Sequence, residues 1–399
     1  MRGRDPHEPG RVATPLELLF DLTFVVAVGV AADQLAEMIA AGHAGNAILA
    51  FVFAMFAILV GWINFSWFAS AFDTDDWAYR VCTMVQMAGV VVLTLGLPAT
   101  FASIEAGRHV DVRLLVAGYV VMRVGMLLLW IRGAIQIREH RRVCVRNAVW
   151  LAIVQCAWVA LALSDLTLVP TFVVIVLLGA MEMLLPVLTQ GRANGTPWHP
   201  HHIAERYSAF AIIALGEGVV GTVASSSAAG DGTVDLTTAL LISAGIGITF
   251  ALWWTYFLTP FGTLLHDRPR RGYLFGYGHI PVLIAIAATG SGLHGAGLVM
   301  DGTSDLGDTA AVLAIVVPVA GYLVTMVCLR WLLESRIDTL ALGLLAAALI
   351  VLAAALGCAA AGIPVAACLL VVTAATFVPV VGSEIAAHRR AGAGASAGE

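Results

Sequence analysis

Ionisable side chains interrupt the long apolar runs of this sequence at only a few positions. Asp21, Arg123, Glu182 and Glu217 stand inside such runs, and His279 stands inside another. Charged groups are costly in a low-dielectric interior, so side chains of these types either pair with one another or bind and move an ion or a proton. These side chains can therefore form ion pairs, exchange protons and bind small polar solutes.

Depth along a helix places several of these groups at one level. The depth of a residue is its number of positions from the cytoplasmic end of its run, multiplied by the helical rise of ~1.5 Å per residue; the arginines discussed below identify that end. Seven polar groups have depths between ~7 and ~15 Å. They are Asp21, Asn64, Gln86, Arg123, Gln155, Glu182 and His279. Glu217 and Asp33 lie deeper, at ~22 and ~26 Å. This pattern predicts a polar cavity on the cytoplasmic half, with Glu217 and Asp33 continuing a path across the bilayer.

Arg123 is the most informative of these residues, because a guanidinium stays charged and cannot escape burial by losing a proton. It needs a carboxylate at a similar depth. Glu182 is the first expected partner and Asp21 the second. Such a pair either fixes the register of two helices or binds a substrate, and the sequence leaves both interpretations open.

Glu17 and Asp21 are four residues apart, so they share one face of the first helix. The helix dipole favours negative charge near the start of a helix, which explains the presence of Glu17 there, with Thr14 as the cap and Pro15 as the first residue. Asp21 lies one turn deeper, where the dipole explains it less well. We expect Asp21 to carry a coupling proton or cation.

A cluster of histidines precedes the seventh apolar run, at His199, His201 and His202, followed by Glu205 and Arg206. Dense histidines can bind zinc, but proline interrupts this set and no H-E-x-x-H motif is present. We therefore predict no metal site here. Glu205 and Arg206 fit a capping and salt-bridge element at a helix start, and the cluster is assigned a structural or gating role.

An acidic turn follows the second apolar run, with Asp73, Asp75 and Asp76 ahead of Arg80. Arg80 comes one helical turn after Asp76, a spacing that allows a pair. We interpret this segment as a solvated cytoplasmic turn that pins two helices, although three acids could also attract a cation.

The elements that must position these residues are membrane-spanning helices. Of 399 residues, 60% are hydrophobic and 12% charged, and the mean hydropathy is +0.92. Soluble domains carry about 25% charged residues, so soluble enzymes and disordered proteins are disfavoured, and the net charge of −5 offers no basic face for nucleic acid. A span needs about 20 apolar residues. The runs are 16–40, 46–70, 78–101, 112–133, 145–163, 167–189, 202–225, 236–259, 272–296, 308–333, 338–358 and 364–386.

Arginine positions orient these twelve predicted helices. All 21 basic residues are arginines, and alternating the loops puts 18 of them on one side, two (Arg108 and Arg113) on the other, and Arg123 within a span. Basic residues accumulate in cytoplasmic loops. We therefore expect both termini in the cytoplasm and the chain in the cytoplasmic membrane, with lipid as its surroundings.

A weak repeat of about 190 residues suggests two parallel six-helix halves. GWINFSWFASAFDTDDWAYR (61–80) echoes ALWWTYFLTPFGTLLHDRPRR (251–271), and Glu17 echoes Glu205. Such aromatic clusters are more often interface anchors than ligand sites. The expected organisation is a cytoplasmic segment 1–13, six-helix units 14–192 and 193–387, and a disordered cytoplasmic tail 388–399.

Three motifs resemble the bacterial low-temperature-requirement A family of multipass membrane proteins. They are TPLELLFDLTFVVAV (14–28), FDTDDWAYR (72–80) and HIAERYSAFAIIALGEGVVG (202–221), and the likeness extends from about residue 11 to 385. The matching positions are Glu17, Phe20, Asp21, Asp73, Asp75, Asp76, Arg80, His202, Glu205, Arg206 and Glu217. Tyr207 and Ser208 stand where the family usually has Phe and Gly. The family name records a growth phenotype, so the resemblance implies a fold rather than a chemical activity.

These features favour a secondary transporter or permease for a small molecule or ion. Its expected path residues are Asp21, Glu17, Arg123, Glu182, Glu217, Asn64, Gln86 and His279. An ion channel is one alternative, because Phe20-Asp21 is loosely similar to a motif of endolysosomal potassium channels. A membrane-embedded lipid-handling enzyme is another, with His202, Glu205 and Asp21 as acid or base, although an enzyme is the less favoured class. No nucleotide or haem motif is present, so no cofactor is predicted. The oligomeric state stays open.

Overall fold

The computed structural model describes residues 1, 3–6, 8, 10–107, 109–190, 195–228, 235–300, 302, 304 and 306–396. Twelve helices in these ranges are long and apolar enough to cross a membrane, which confirms the predicted all-helical class and its number of spans. Arg2, Arg108 and Arg192, which the orientation argument uses, lie outside the described residues.

The helices follow the apolar runs closely. The first six spans are α1 (Pro15–Ala40), α2 (Ala44–Phe72), α3 (Trp77–Ala106), α4 (Arg113–Gln136), α5 (Arg141–Ala162) and α6 (Leu168–Gln190). The seventh span contains α7 (Pro200–Ala214) and α8 (Gly216–Ala228), and the eighth contains α9 (Leu236–Phe257) and α10 (Phe261–Asp267). The last four are α11 (Gly272–Met300), α12 (Asp308–Glu334), α13 (Thr339–Ala360) and α14 (Val365–Ser396).

The chain divides into two compact units. The first contains residues 1–35 and 43–213, and the second contains 36–42 and 214–399. This division falls in the seventh span, whereas the proposed sequence repeat divides the chain between residues 192 and 193. The two parallel repeats remain a prediction.

Glycines bring α3 and α4 close together in the first unit. A Cβ on Gly118 would lie 2.6 Å from the carbonyl oxygen of Gly89, and a Cβ on Gly125 would lie 2.6 Å from that of Cys82. Real Cβ atoms do not come this close to backbone oxygen. Because membrane helices associate through close packing rather than hydrophobic exclusion, this glycine-lined crossing is what lets the two backbones meet.

Contacts in the second unit pair α8 with α11, α11 with α12, α13 with α14, and α9 with α14. Glycine again permits a close approach, because a Cβ on Gly290 of α11 would lie 2.6 Å from the carbonyl oxygen of Glu217 at the start of α8. The Tyr322 hydroxyl of α12 donates to the carbonyl of Leu252 in α9 at 2.7 Å.

The C-terminal helix corrects one expectation. Residues 388–399 read as a disordered tail, but α14 continues through Ser396. Extending an existing helix adds one hydrogen bond for each residue fixed and avoids the nucleation cost. The alanines of this segment favour that extension. Residues 397–399 lie outside the described residues.

Aromatic residues of α2 correct a second expectation, that they anchor the helix at the membrane interface. Trp62 and Phe65 are completely buried, so the interface-anchor interpretation is wrong for this cluster. Trp253 and Phe257 of the echoing segment are 37% and 40% exposed, as anchors would be. Trp62 is buried in the first unit because its indole N–H contacts a buried carboxylate.

Candidate functional site

The first helix begins with a reciprocal capping arrangement that fixes its two acids. The Thr14 backbone N–H donates to Glu17 Oε2 at 2.8 Å, while the Thr14 hydroxyl accepts from the Glu17 backbone N–H at 3.3 Å. This capping box satisfies two N–H groups that the first turn would leave unpaired. Asp21 follows one turn later on the same face, as its spacing predicts.

Arg206 of α7 binds both acids. Its Nη1 lies 2.8 Å from Glu17 Oε1, and its Nη2 and Nε lie 2.5 and 3.3 Å from Asp21 Oδ1 and Oδ2. All three side chains are fully buried. Arg206 was expected in a salt bridge near a helix start, but the sequence did not indicate that its partners are on the first helix.

Trp62 of α2 adds a donor to the same carboxylate. Its indole Nε1 lies 2.6 Å from Asp21 Oδ1. Its ring packs on Tyr207 and Phe210 of α7, with centroid distances of 4.7 and 4.4 Å. Sequence analysis missed Trp62 as a site residue. The available signal was that an indole N–H needs an acceptor when the ring is buried in an apolar helix.

His202 completes this cluster from the first turn of α7. Its Nε2 lies 3.2 Å from Glu17 Oε2, and its side chain is 1% exposed. Its Nδ1 has no hydrogen-bond partner among the described residues. Glu205 faces elsewhere, since its Oε1 accepts from the Ala13 backbone N–H at 3.2 Å. We call Glu17, Asp21, Trp62, His202 and Arg206 the first network.

The first network has a surplus of negative charge. Its two carboxylates face one guanidinium, so one negative charge remains when the imidazole is neutral. Two further buried charges lie nearby: Arg11 donates to the carbonyls of Ala69 and Ser70 at the end of α2, and Asp73 follows that helix. Arg11 and Asp73 are opposite in sign, so together they leave the surplus unchanged.

A second network forms around Glu182 of α6. Arg123 Nη2 donates to its Oε2 at 2.7 Å, which confirms the partner that depth predicted. The Tyr119 hydroxyl donates to the same oxygen at 2.5 Å, while Trp158 Nε1 and Gln155 Nε2 lie 2.9 and 3.4 Å from Oε1. One positive charge faces one negative charge, and four donors surround the carboxylate. This network is neutral, and both oxygens of its carboxylate accept hydrogen bonds, while Arg123 Nε and Gln155 Oε1 have no partner among the described residues. The charge balance favours the structural interpretation of the pair.

The acidic turn links α3 to α4 through Asp76. Its Oδ1 accepts from the Tyr79 backbone N–H at 3.0 Å, and Arg132 donates to both of its oxygens, at 2.7 and 2.5 Å. The Arg132 hydrogen bonds hold the pKa of Asp76 well below its usual range. Arg80 pairs instead with Asp75 at 2.9 Å. The segment therefore links two helices. The partner of Asp76 is Arg132 rather than the expected Arg80.

Asp73 differs from its two neighbours because it is buried. Its Oδ1 accepts from the Asp75 backbone N–H at 2.9 Å, and Arg4 lies 3.9 Å away. Burial and the charge of Glu17 raise the pKa of Asp73. Asp73 therefore belongs with the buried charges near the first network rather than with the solvated turn.

Hydrogen bonds divide the rest of the predicted polar layer into separate sets. Asn64 and Gln86 donate to backbone carbonyls of their own helices, those of Val60 and Cys82. His279 is buried in the second unit, where its Nε2 lies 3.1 Å from the Tyr256 hydroxyl. Glu217 stands in the first turn of α8. The structure thus assembles two compact networks, and a cavity shared by all the predicted path residues remains a prediction.

Two pockets of the second unit lie away from these networks. One is lined by α9 and α12–α14 residues that include Thr255 and Met326, and the other lies beside Trp331 and Ile337. Arg330 lines both, and neither pocket is lined by a predicted path residue. Within the described ranges, no group of three His, Cys, Asp or Glu side chains is arranged to hold a metal ion.

Comparison with known proteins matches nearly the whole chain to one family. The sequence profile described as "Bacterial low temperature requirement A protein (LtrA)" matches residues 12–376. A Rhizobium meliloti (strain 1021) protein described as "Uncharacterized protein RA0937" is 25% identical over 305 residues, covering 69% of this chain and 67% of that protein. No solved structure matches significantly.

Proposed function

This chain belongs to the bacterial low temperature requirement A family of integral membrane proteins, and we propose that it is a secondary transporter or permease for a small molecule or ion. The proposal rests on the first network, where two carboxylates, one guanidinium and one imidazole are buried among spanning helices with an uncompensated charge. Such residues inside membrane proteins mark ion and proton paths. The chain is proposed to act in the cytoplasmic membrane.

Roles within the site follow from the contacts. Glu17 and Asp21 supply the negative charge that attracts a cation or proton, and Arg206 holds both acids at fixed positions. The Trp62 indole orients Asp21. His202 supplies an imidazole, a side chain that can gain and lose a proton in the physiological pH range. The second network is assigned the task of holding α4, α5 and α6 together, because its charges balance.

Flux measurements test the proposal. The full-length protein, reconstituted in liposomes that contain a pH-sensitive dye, is exposed to pools of amino acids, sugars, organic acids and organic cations under an imposed potential. We expect one pool to drive a coupled flux, and Asp21→Asn to lower that flux to the level of empty liposomes. Asp75→Asn makes the same chemical change on a half-exposed carboxylate and is expected to keep the wild-type flux.

Other outcomes favour the alternatives. A sustained ion current that needs no added solute points to a channel. Consumption of a bilayer lipid without any flux points to a lipid-handling enzyme. A flux that Asp21→Asn leaves unchanged contradicts the assignment of the first network as the path.

A further inference from the structure

The surplus charge of the first network needs a counter-charge. Moving a lone carboxylate into a low-dielectric interior costs far more than burying a neutral group. The charged and titratable groups around the network are Arg11 and Glu8 of the N-terminal segment, Asp73 after α2, Tyr79 of α3, and His199 before α7.

These surrounding groups do not supply the missing charge. Glu8 forms an ion pair with Arg4 at 2.7 Å. Arg11 is attracted to Glu17 and to Asp73, but its guanidinium donates to the backbone carbonyls of Ala69 and Ser70, and no ion pair joins it to either acid among the described residues. Burial lowers the pKa of His199, so it is neutral at neutral pH. Tyr79 is a buried phenol whose hydroxyl has no hydrogen-bond partner among the described residues. The missing positive charge must therefore bind within the network.

Asp21 is unsuited to bind it. Both of its oxygens accept from Arg206, and Oδ1 also accepts from Trp62. A proton on this carboxylate would weaken its charge-assisted hydrogen bonds and leave Arg206 with less compensation. These hydrogen bonds favour the ionised form of Asp21.

We propose that Glu17 and His202 form a proton-binding site, and that the proton enters and leaves at His202 Nδ1. Nε2 of His202 faces Glu17 Oε2 at 3.2 Å, while Nδ1 is buried and has no partner within the described ranges. When Nδ1 gains a proton, the imidazolium charge cancels the surplus carboxylate, and no other bond is made or broken. The inference rests on the proposed transport function, to which it supplies the coupling ion.

A proton fits this site better than a metal cation. Sodium, magnesium and calcium need several oxygen ligands arranged around one point. Here three of the four carboxylate oxygens accept from N–H donors, which are those of Arg206, Trp62, His202 and Thr14. The fourth, Glu17 Oε1, is in ion-pair contact with Arg206 Nη1. Imidazole, in contrast, changes charge in the physiological pH range.

Nitrogen NMR on the full-length protein in lipid bilayers tests the site. The probe is ¹⁵N-histidine, and the His202 signals are identified by their loss in His202→Gln. As the pH falls from about 9 to about 5, we expect His202 in the wild type to gain a second proton, at Nδ1. Glu17→Gln removes the surplus charge, so its His202 is expected to stay neutral to a lower pH. Asp75→Asn, on a half-exposed carboxylate of the cytoplasmic turn, should keep the wild-type titration.

Several results overturn the proposal. These are a wild-type His202 that stays neutral from about pH 5 to about pH 9, an unchanged titration in Glu17→Gln, and a shift of the His202 signals with sodium at constant pH. If Glu17→Gln does not fold, His202→Gln decides the matter. It should take up one proton fewer per chain than the wild type when the pH is lowered, and equal uptake contradicts the site.

The two proposals can fail separately. If His202 titrates but the protein shows no solute flux, the proton site is supported and the transport function is contradicted. If the protein shows a solute flux but His202 never binds the extra proton, the transport function is supported and this site is contradicted.

Discussion

At the scale of single residues, two networks built from similar groups differ in their charge balance. Around Glu182 one guanidinium meets one carboxylate, whereas around Arg206 one guanidinium meets two. A balanced buried pair needs no further counter-charge, because each ion compensates the charge of the other. The unbalanced network requires an additional ligand, and this difference directs the functional proposal to α1 and α7.

Breaking the balanced pair should be more harmful than removing it. Arg123→Met and Glu182→Gln each leave one buried charge alone, and each is expected to lower the free energy of unfolding by about 3–5 kcal/mol. The double variant buries no net charge, and its amide keeps an oxygen that can accept from Trp158 and gains an N–H that can donate to the Tyr119 hydroxyl. We expect it to lose much less than the two single losses combined, as measured by unfolding in detergent. A double variant whose loss equals the sum of the two single losses would contradict a favourable interaction between Arg123 and Glu182.

Depth along the helices was enough to identify the partner of Arg123, because both residues stand alone in apolar runs at similar depths. The partners of Arg206 had no such signal. Glu17, Asp21 and Trp62 are on helices far away in the sequence, and no local spacing relates them to α7. Spacing rules act within one helix, so contacts between distant helices must come from three-dimensional packing.

At the scale of elements, the α3–α4 pair depends on its glycines. Gly89 and Gly118 face each other so closely that no side chain fits between the backbones. The sequence predicted both helices from their apolar length, yet it could not say which face of each is glycine-lined against the other. Backbone proximity, rather than any polar contact, sets the distance between these two helices.

Adding one methyl group tests this crossing. We expect Gly118→Ala to separate α3 and α4 and to lower the unfolding temperature in detergent, because the new Cβ would lie 2.6 Å from Leu93 Cα. Gly321→Ala, in α12, is the matched control, since nothing lies within 4 Å of its Cβ position. Alanine favours helix over glycine by about 1 kcal/mol, so the control should be neutral or slightly more stable. Equal behaviour of the two variants would contradict the close-packing argument.

At the scale of the whole molecule, composition alone established the class of protein. Apolar runs of about 20 residues leave little choice but helices in a membrane, because backbone groups there must be paired internally. Twelve such helices are present in the described residues. The division into compact units was not predictable in the same way, since it depends on which helices pack together.

The arginine distribution predicts the orientation of the molecule. We expect both termini in the cytoplasm and the loop between α3 and α4 on the opposite side. Fusions to green fluorescent protein and to alkaline phosphatase, made at the C-terminus and after Asp111, test this. The C-terminal fusion should fluoresce without phosphatase activity, and the loop fusion should do the reverse. Any other combination at these two sites rejects the orientation.

The distance in sequence between Asp21 and Arg206 also affects how the protein is made. The two residues are 185 positions apart, and ribosomes add about 5–20 residues per second. After α1 emerges, about 10–40 s therefore pass before its guanidinium partner is synthesised. During that interval Glu17 and Asp21 lack their ion pair, so the start of α1 must stay near water or beside the insertion machinery. Completion of the first unit thus waits for a helix from the second half of the chain.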